Sequence, residues 1–300
     1  MNINNGYFRR LFSIHMKIFE NINTSRDYVQ SIKNQKLSLG FVPTMGALHE
    51  GHLSLVRKAK SENNCLAISI FVNPIQFNNP SDLRNYPRTV QADLELLKNI
   101  LTDRDFVFIP SVSDMYPQPV KTQYDFGSLA QVMEGSARPG HFNGVGVVIN
   151  RLYRIIEPDT MYFGEKDFQQ LAIIRRLTAI EQLPVKIVPC PIIREADGLA
   201  MSSRNVRLTP DHRQAAPAIF ATLSAAMEKI PVSTPNQLRQ FITTNINQTG
   251  LLCVEYVEFA DEYTLQTITD WSQSTHIRCF VAVQAGDVRL IDNLKVPIVP

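Results

Sequence analysis

The sequence predicts an α/β protein in which a parallel-sheet domain is followed by a smaller α+β domain. Up to about residue 190, short apolar runs alternate with stretches whose apolar residues recur at helical spacing. The apolar runs are continuous, which is typical of strands that helices cover on both faces of a parallel sheet. Beyond residue 190 the alternation stops, and helical signals are followed by longer strand signals. This change indicates a second unit.

The elements of the first domain follow in order from these two patterns. Strands are predicted at 37–44, 65–73, 105–110 and 160–164. Helices are predicted at 51–63, 89–100, 145–156 and 167–180. The stretch from Met16 is typical of a further strand that leads into a helix. Because ligands bind at the carboxyl ends of strands in such sheets, the residues after each strand are the first candidates for chemistry.

The second domain begins after a proline-rich connection. Residues 183–195 include three prolines and are predicted to be extended. Thr209 and Thr234 each precede a proline, the pattern of a helix N-cap followed by proline at the first helical position, so two helices are expected. Strands are predicted at 251–261 and at 276–294, the latter turning at Gly286 and Asp287.

Composition and charge exclude several classes of protein. The chain has 300 residues, 44% hydrophobic and 19% charged, which is ordinary for a globular protein. Its net charge is +2 without a concentrated basic stripe, so no nucleic-acid partner is expected. No apolar run approaches the roughly 20 residues that span a bilayer, so no membrane partner is expected. The four cysteines lie far apart without a CxxC pair, which favours reduced thiols in a cytoplasmic protein over disulfides or zinc.

The first fifteen residues differ from the rest of the chain. Arg9 and Arg10 precede an apolar stretch that is too short for the core of a secretory signal. We therefore interpret Met16 as the natural start and residues 1–15 as a disordered extension.

The densest chemical signal is the segment PTMGALHEGH at 43–52, where a strand ends and a helix begins. Backbone N–H groups at a helix N-terminus bind phosphate, and Gly46 and Gly51 allow close approach of the backbone. His49 and His52 face one side of the first turn and could donate hydrogen bonds to phosphate. A metal site is the alternative, but HEGH is one residue shorter than HExxH and no third ligand is evident. Two incidental surface histidines are the other alternative.

Two further clusters each contain a basic residue that follows a predicted strand or an extended segment. Lys166 lies in the segment 164–167 at a strand-to-helix junction, where a point charge could meet phosphate. Ser202, Ser203 and Arg204 could clamp a leaving pyrophosphate. Taken alone, each cluster is equally compatible with a solvated helix start or a polar surface loop. Gly144 and Gly146 do not lie at a strand-to-helix turn, so we interpret them as close helix packing.

Together the motifs resemble a known family. A HxGH-type loop with a distant Ser-Ser-Arg loop is similar to the nucleotidyltransferase superfamily that includes class I aminoacyl-tRNA synthetases. Within that superfamily, six segments resemble the pantothenate synthetase family: VPTMGALHEGHLSLV (42–56), FVNPIQF (71–77), YPRT (86–89), RPGHFNGV (138–145), FGEKDFQQL (163–171) and MSSRN (201–205). The resemblance extends from about Met16 to the C-terminus. Motifs of this length in this order are specific, whereas HxGH alone is not.

The resemblance implies an architecture and a reaction. The architecture is a homodimer in which residues 16–190 form a Rossmann-like domain that binds ATP and pantoate, and residues 191–300 form a smaller lid domain. In the reaction, ATP and pantoate give pantoyl-adenylate and pyrophosphate, with Mg²⁺ on the phosphates. The amine of β-alanine then attacks the acyl-adenylate and releases pantothenate and AMP.

The resemblance also implies roles for individual residues. The implied ATP-binding residues are Met45, Gly46, His49, His52, Gly164, Lys166, Asp167, Ile193, Met201, Ser202, Ser203 and Arg204. The implied catalytic residues are His52 as a proton donor, His49, Lys166 and Arg204. The implied residues for pantoate and β-alanine are Gln76 and Gln170, with Met45 and Phe71 as an apolar wall for the methyl groups. Asp93 is expected on the magnesium side.

Three other functions are alternatives to this one. A nucleotidyltransferase acting on a phosphate ester fits poorly with the chain length, the second domain and the pair Gln76 and Gln170. A truncated tRNA synthetase fits poorly with the near-neutral charge. A non-catalytic nucleotide-binding module would bind ATP but would release no pyrophosphate in response to pantoate.

Overall fold

The structure is a computed structural model that describes residues 16–297. The expected extension, residues 1–15, lies outside the described residues. The chain forms two compact units, each discontinuous in sequence. The first comprises residues up to 123 together with 143–163 and 178–190, and the second comprises 124–142, 164–177 and the chain from 191 onwards. The expected domain boundary at residue 190 stays a prediction.

The first unit is built on a parallel sheet, as predicted, and this sheet has six strands. Its strands are β1 (Lys17–Phe19), β2 (Leu39–Thr44), β3 (Cys65–Ile70), β4 (Phe106–Phe108), β5 (Thr160–Gly164) and β6 (Lys186–Cys190). They lie in the order β1-β4-β3-β2-β5-β6. The chain moves from β2 outward through β3 and later returns to the other side of β2 with β5. The carboxyl end of β2 therefore lies at the topological switch point, where ligands bind in open α/β sheets.

The pairing of β2 is asymmetric at this point. It pairs with β3 along all six of its residues but with β5 only at Gly40 and Phe41. Pro43, which has no N–H to donate, lies beyond the last pair with β5. The hydrogen-bond ladder between β2 and β5 therefore ends before the segment 43–52, which the sequence predicts to bind phosphate.

In the order of the chain, eight α-helices lie between these strands in the described residues 16–190. They are α1 (Ile22–Asn34), α2 (Glu50–Glu62), α3 (Pro80–Asn85), α4 (Val90–Lys98), α5 (Val112–Met115), α6 (Met133–Ala137), α7 (His141–Ile156) and α8 (Phe168–Ile180). The four helices predicted for the first domain are present, with ends within four residues of the prediction. Apolar residues of α2 at helical spacing, Leu53, Val56 and Ala59, pack with β2 and β3 in one buried cluster.

The proline-rich connection contains a strand that the sequence did not distinguish from an extended linker. β6 lies at one edge of the six-stranded sheet. Pro189 lies within it. Proline is tolerated at an edge because one side of the strand needs no ladder hydrogen bonds.

The second unit contains a three-stranded antiparallel sheet with helices. The strands are β7 (Leu252–Asp261), β8 (Ile277–Ala285) and β9 (Val288–Lys295), in that order. Gly286 has φ +58° and forms the predicted turn between β8 and β9. The helices that precede the sheet are α9 (Pro210–Ala215), α10 (Ala218–Glu228) and α11 (Pro235–Asn247).

Beyond residue 195, two helix starts were predicted correctly, but one helix was missed. Thr209 and Thr234 accept hydrogen bonds from backbone N–H groups three residues later, as N-caps do. Two helices were predicted after residue 195, whereas the described part of the chain there has three. α10 starts after Pro217 without a side-chain cap, and its sequence is apolar almost all round, so it lacks both a start signal and a polar face.

Two further observations concern the whole described chain. Among residues 16–297, no helix has the length and apolar character needed to cross a membrane. The four cysteines are free thiols, with Cys253 exposed and Cys65, Cys190 and Cys279 buried.

Candidate active site

The loop between β2 and α2 has a specific backbone conformation. Gly46 has φ +80° and Ala47 has φ +50°, so two successive residues are left-handed. A Cβ atom on Gly46 would lie 3.0 Å from the Asp93 Oδ2 atom and 3.0 Å from Ile70, so a larger residue would displace the loop. Ala47 has no such freedom, and a non-glycine residue in this region costs about 1 kcal/mol or more. The surrounding contacts must therefore hold the loop.

Asp93 of α4 supplies those contacts. Its Oδ2 atom accepts a hydrogen bond from the Ala47 N–H at 3.0 Å, and its Oδ1 atom accepts from the Leu48 N–H at 2.8 Å. The Thr89 hydroxyl donates to Oδ1 at 3.2 Å, and Asp93 is only 1% exposed. Both oxygens of Asp93 therefore hold the loop, and its expected place on the magnesium side stays a prediction.

Within residues 16–297 there is no cluster of three or more His, Cys, Asp or Glu side chains that could hold a metal ion. Magnesium in ATP-dependent enzymes is commonly bound by one or two carboxylates together with substrate phosphates. Magnesium held chiefly by the phosphates of ATP stays a prediction.

His49 and His52 are arranged as a reciprocal cap at the start of α2. The Nδ1 atom of His49 accepts a hydrogen bond from the Gly51 N–H at 3.1 Å. The Nδ1 atom of His52 accepts from the His49 N–H at 3.4 Å, and the two rings are 4.2 Å apart. A nitrogen that accepts a hydrogen bond carries no proton, so the neutral rings carry theirs on Nε2. The loop therefore presents two Nε2–H donors at a helix N-terminus, a combination that suits an anion.

Gln76 is oriented by neighbours that the sequence reasoning missed. Its Oε1 atom accepts a hydrogen bond from the Asn73 amide at 3.0 Å, which leaves Nε2 as the donor, 3.1 Å from the Met45 sulfur. The Asn73 Oδ1 atom accepts in turn from the Tyr116 hydroxyl at 2.8 Å. Burial raises the pKa of Tyr116, so its hydroxyl stays a donor. The Phe71 ring is buried, with its centroid 6.1 Å from that of Tyr116.

The sequence held a signal for one of these neighbours. Asn73 lies within the FVNPIQF segment that carried part of the resemblance. Tyr116 lies in a separate loop 43 residues along the chain, and nothing local marks it.

Helix α7 packs directly on the backbone around Gln76. A Cβ atom on Gly144 would lie 2.5 Å from the Ile75 carbonyl oxygen and 2.6 Å from the Gln76 Cα atom. The Asn73 amide also donates to the Gly144 carbonyl at 3.2 Å. The interpretation of Gly144 as a site of close packing is confirmed, and this packing fixes the position of Gln76.

In the second unit, Lys166 lies in a short 3-10 turn, Glu165–Asp167, that leads into α8. Lys166, Asp167 and Gln170 line a small cavity of about 30 Å³ together with Glu134, His141 and Tyr256. Three of the predicted binding residues thus line the same cavity. Glu134, His141 and Tyr256 were not predicted, although His141 lies within the RPGHFNGV segment.

The remaining predicted residues form a second group in this unit. The Met201 N–H donates to the Ile193 carbonyl at 3.0 Å, so the chain folds back on itself between these residues. The Arg204 N–H donates to the Ser202 hydroxyl at 3.2 Å, which closes a tight turn at the Ser-Ser-Arg segment. Asn205 is buried and donates to the Ala200 carbonyl at 3.1 Å. Ile193 and Met201, which are separated in the chain, are therefore neighbours.

The predicted residues thus fall into two sets, one in each unit. In the first unit the residues around the β2–α2 loop are Met45, Gly46, His49, His52, Phe71 and Gln76. In the second unit they are Gly164, Lys166, Asp167, Gln170, Ile193, Met201, Ser202, Ser203 and Arg204. Their roles in binding and catalysis stay predictions.

The chain matches a known family over nearly its whole described length. The family model of pantoate–β-alanine ligase matches residues 17–295. A pantothenate synthetase of Porphyromonas gingivalis is 46% identical over 280 residues, covering 93% of this chain and 99% of that protein. A pantothenate synthetase of Azobacteroides pseudotrichonymphae is 47% identical over 279 residues, with the same coverage of both chains.

Solved structures show similarity to the same family. The pantothenate synthetase of Thermus thermophilus superimposes with a TM-score of 0.87 at 37% identity, covering 94% of this chain and 99% of that one. The pantoate–β-alanine ligase of Francisella tularensis, crystallised with β-γ ATP and β-alanine, gives a TM-score of 0.79 at 38% identity. That comparison covers 93% of this chain and 97% of the other.

Proposed function

The chain belongs to the pantoate–β-alanine ligase family, and from this premise we propose that it joins pantoate to β-alanine through a pantoyl-adenylate intermediate. Ligation of the two substrates with ATP is the activity of the family. The observation that most supports the adenylate route is the β2–α2 loop, where His49 and His52 present two Nε2–H donors at a helix N-terminus. Such donors stabilise charge on phosphate oxygens.

In the first step, a pantoate carboxylate oxygen attacks the α-phosphorus of ATP, and the bond from that phosphorus to the bridging oxygen of pyrophosphate breaks. Negative charge grows on the equatorial oxygens and on the leaving pyrophosphate. We assign His52 as a hydrogen-bond donor to these oxygens, with His49 beside it. Lys166 and Arg204 are assigned to the phosphates because fixed cations lower the energy of the developing charge.

Pantoate recognition is assigned to Gln76 and Gln170. The Asn73 amide donates to the Oε1 atom of Gln76 and so fixes the orientation of its amide, with Nε2 as the donor available for a substrate oxygen. A donor in that position can bind a carboxylate or hydroxyl oxygen of the substrate. Met45 and Phe71 would contact the two methyl groups, whose burial is favourable.

In the second step, the free amine of β-alanine attacks the acyl carbon of the adenylate. The C–N bond forms, the bond to the AMP oxygen breaks, and the amine loses a proton as the amide forms. The contribution of the chain to this step is to hold the two reactants together and exclude water, which would otherwise hydrolyse the adenylate.

The remaining roles follow from the family resemblance. Gly164 and Asp167 are assigned to the ribose and phosphates, Ile193 to adenine, and the segment 201–204 to a clamp on the phosphates. Support for the clamp comes from the hydrogen bond between Met201 and Ile193, which makes these segments neighbours. A cytoplasmic homodimer is part of the same proposal, and the composition of the chain is compatible with it.

The proposal is tested by measuring pyrophosphate and AMP release from ATP and Mg²⁺, with pantoate and β-alanine added singly and together. We expect sustained AMP formation only with both substrates. Pantoate alone should release at most one pyrophosphate per site, since the adenylate stays bound. Folded protein that releases no pyrophosphate in response to pantoate would contradict the substrate assignment and leave a nucleotide-binding protein.

A further inference from the structure

Two buried polar side chains of the antiparallel sheet lie against the turn that carries Lys166. Arg278 of β8 is 5% exposed and Asn293 of β9 is 1% exposed. In the register of the two strands, Asn293 is paired with Phe280, two residues from Arg278, so both side chains lie on one face of the sheet. Neither residue was predicted to belong to the site.

The Asn293 amide binds the turn directly. Its Nδ2 atom donates to the carbonyl oxygens of Glu165 and Lys166, each at 2.9 Å. Its Oδ1 atom accepts from the Arg278 guanidinium at 2.7 Å. A flipped amide would place Oδ1 against two carbonyl oxygens and Nδ2 against a cation, so the network permits only one orientation.

Arg278 holds the turn at both of its ends. Its guanidinium lies 3.6 Å from the carboxylate of Glu165, and it stacks 4.0 Å from the ring centroid of Phe168. Two nitrogens of the same guanidinium lie 2.8 Å from the Oε1 atom of Glu262, so the buried cation is paired. Residues 165 and 168 are thus fixed to the sheet on either side of Lys166.

The turn needs this support because it has little of its own. Glu165–Asp167 is only three residues long and has no side-chain cap at its start. Lysine is a point charge on a flexible stem, so its placement depends on where the backbone holds that stem. A shift of about 1 Å in such a group can cost roughly a hundredfold in rate.

We propose that Asn293 is a positioning residue that fixes the Lys166 turn in the geometry required for phosphate contact. This inference rests on the proposed function, since it gives Asn293 a role only through Lys166. Asn293 touches no substrate in this scheme. It contributes to the rate by holding the backbone from which Lys166 extends.

The test is Asn293→Asp, which keeps the size of the side chain and the acceptor for Arg278 but replaces the donor by a carboxylate oxygen facing two carbonyls. With ATP, pantoate and β-alanine all present, we expect kcat/KM for pantoate, measured by pyrophosphate release, to fall roughly tenfold to a hundredfold. In a Lys166→Ala background the same substitution should cause less than about a twofold further loss. An equal loss in both backgrounds, or no loss in either, would overturn the proposal.

The matched control is Asn245→Asp on α11. The Asn245 amide also donates to a backbone carbonyl, that of Phe241 at 2.8 Å, but far from the Lys166 turn in sequence. This substitution should leave kcat/KM within about twofold of the wild type. If Asn293→Asp fails to fold, Asn293→Ala removes the same donors without adding a charge. The same kinetic outcomes then apply to it.

A second measurement separates this proposal from the proposed function. Hydrogen–deuterium exchange of the substrate-free enzyme should be faster over residues 164–171 in Asn293→Asp and unchanged over 201–205. Unchanged exchange over 164–171 would overturn the positioning role even in a fully active enzyme. Faster exchange in the variant, together with a wild-type protein that releases no pyrophosphate, would contradict the proposed function and leave Asn293 as the support of this turn.

Discussion

At the scale of single residues, the structure explains how ordinary side chains acquire one defined hydrogen-bonding role. The two histidines of the β2–α2 loop accept backbone hydrogen bonds on Nδ1, so the helix start itself selects their tautomer. Gln76 is oriented in the same way by Asn73. In both cases a buried or capping contact on one atom leaves the opposite atom as a donor.

This view predicts different outcomes for two substitutions of His52. His52→Asn can keep the acceptor that Nδ1 provides but loses the Nε2 donor, so turnover should fall roughly a hundredfold while the melting temperature stays near the wild type. His52→Gln places an amide donor near the Nε2 position and should retain more activity. Steady-state kinetics with thermal melts would check this. Equal turnover in Asn and wild-type proteins would remove His52 from the catalytic step.

Gln76→Glu tests the substrate side of the site. The substitution keeps the shape of the side chain but replaces the Nε2 donor by a carboxylate oxygen, which repels the carboxylate of pantoate. We expect the KM for pantoate to rise at least about tenfold, with little change in the KM for ATP. Gln76→Ala is the control for loss of the donor without repulsion. A selective effect on ATP would contradict the assignment.

At the scale of elements, the β2–α2 loop depends on a helix that is distant in sequence. Asp93 of α4 accepts the Ala47 and Leu48 N–H groups and compensates for the left-handed backbone at Gly46 and Ala47. Hydrogen bonds to charged groups contribute roughly 1.5–3 kcal/mol each. The conformation of the loop is therefore a property of two elements together.

Asp93→Asn should lower the free energy of unfolding by about 2–3 kcal/mol, because an amide N–H₂ group would face a backbone N–H where a carboxylate oxygen now accepts. Urea unfolding at neutral pH measures this loss. Thr89→Val is the control, since it removes only the hydroxyl contact to Asp93 and should cost about 1 kcal/mol. Wild-type stability with a raised Mg²⁺ requirement would instead support Asp93 as a metal-side residue.

At the scale of the whole molecule, buried charges join segments that are far apart in the chain. In the second unit, Glu134 accepts hydrogen bonds from the Tyr256 hydroxyl at 2.8 Å and from the Arg289 guanidinium at 2.6 Å. Burial alone would raise the pKa of Glu134, but its hydrogen bond and ion pair with Arg289 outweigh burial and hold the pKa below its ordinary value. The ionised carboxylate therefore stabilises the fold.

The sign of this shift predicts a pH dependence of stability. A carboxyl whose pKa is lowered on folding stabilises the protein above its unfolded-state pKa of about 4.3, and that contribution disappears as the pH falls through the lower folded-state value. Glu134→Gln should cost roughly 3 kcal/mol at neutral pH and should flatten the decline of stability below about pH 4.5. Urea unfolding from acid to neutral pH measures both.

Glu255→Gln is the matched control for this substitution, because Glu255 also pairs with Arg289 but its side chain is 38% exposed. It should change stability by less than about 1 kcal/mol. Similar losses in the two variants would show that the buried position of Glu134 has no special effect.

The sequence by itself determined most strands and the longer helices before residue 190, the caps at Thr209 and Thr234, and which residues are candidates for the site. These features are local: periodicity, capping residues and short motifs are determined by neighbours in the chain. Helix α10 was not predicted, because it lacks a side-chain cap and a polar face. Strand β6 was not distinguished from an extended linker, because only its place at the sheet edge makes Pro189 acceptable within a strand.

Only the tertiary structure decided the roles of Asp93, Asn73, Tyr116, Arg278 and Asn293. Each acts through a hydrogen bond to a residue or segment that the fold brings beside it, and no local pattern records such a partner. The sequence therefore identified groups that can meet a phosphate or a carboxylate. The folded chain decided which of their atoms donate and which neighbours hold them, because buried polar groups must find partners wherever packing places them.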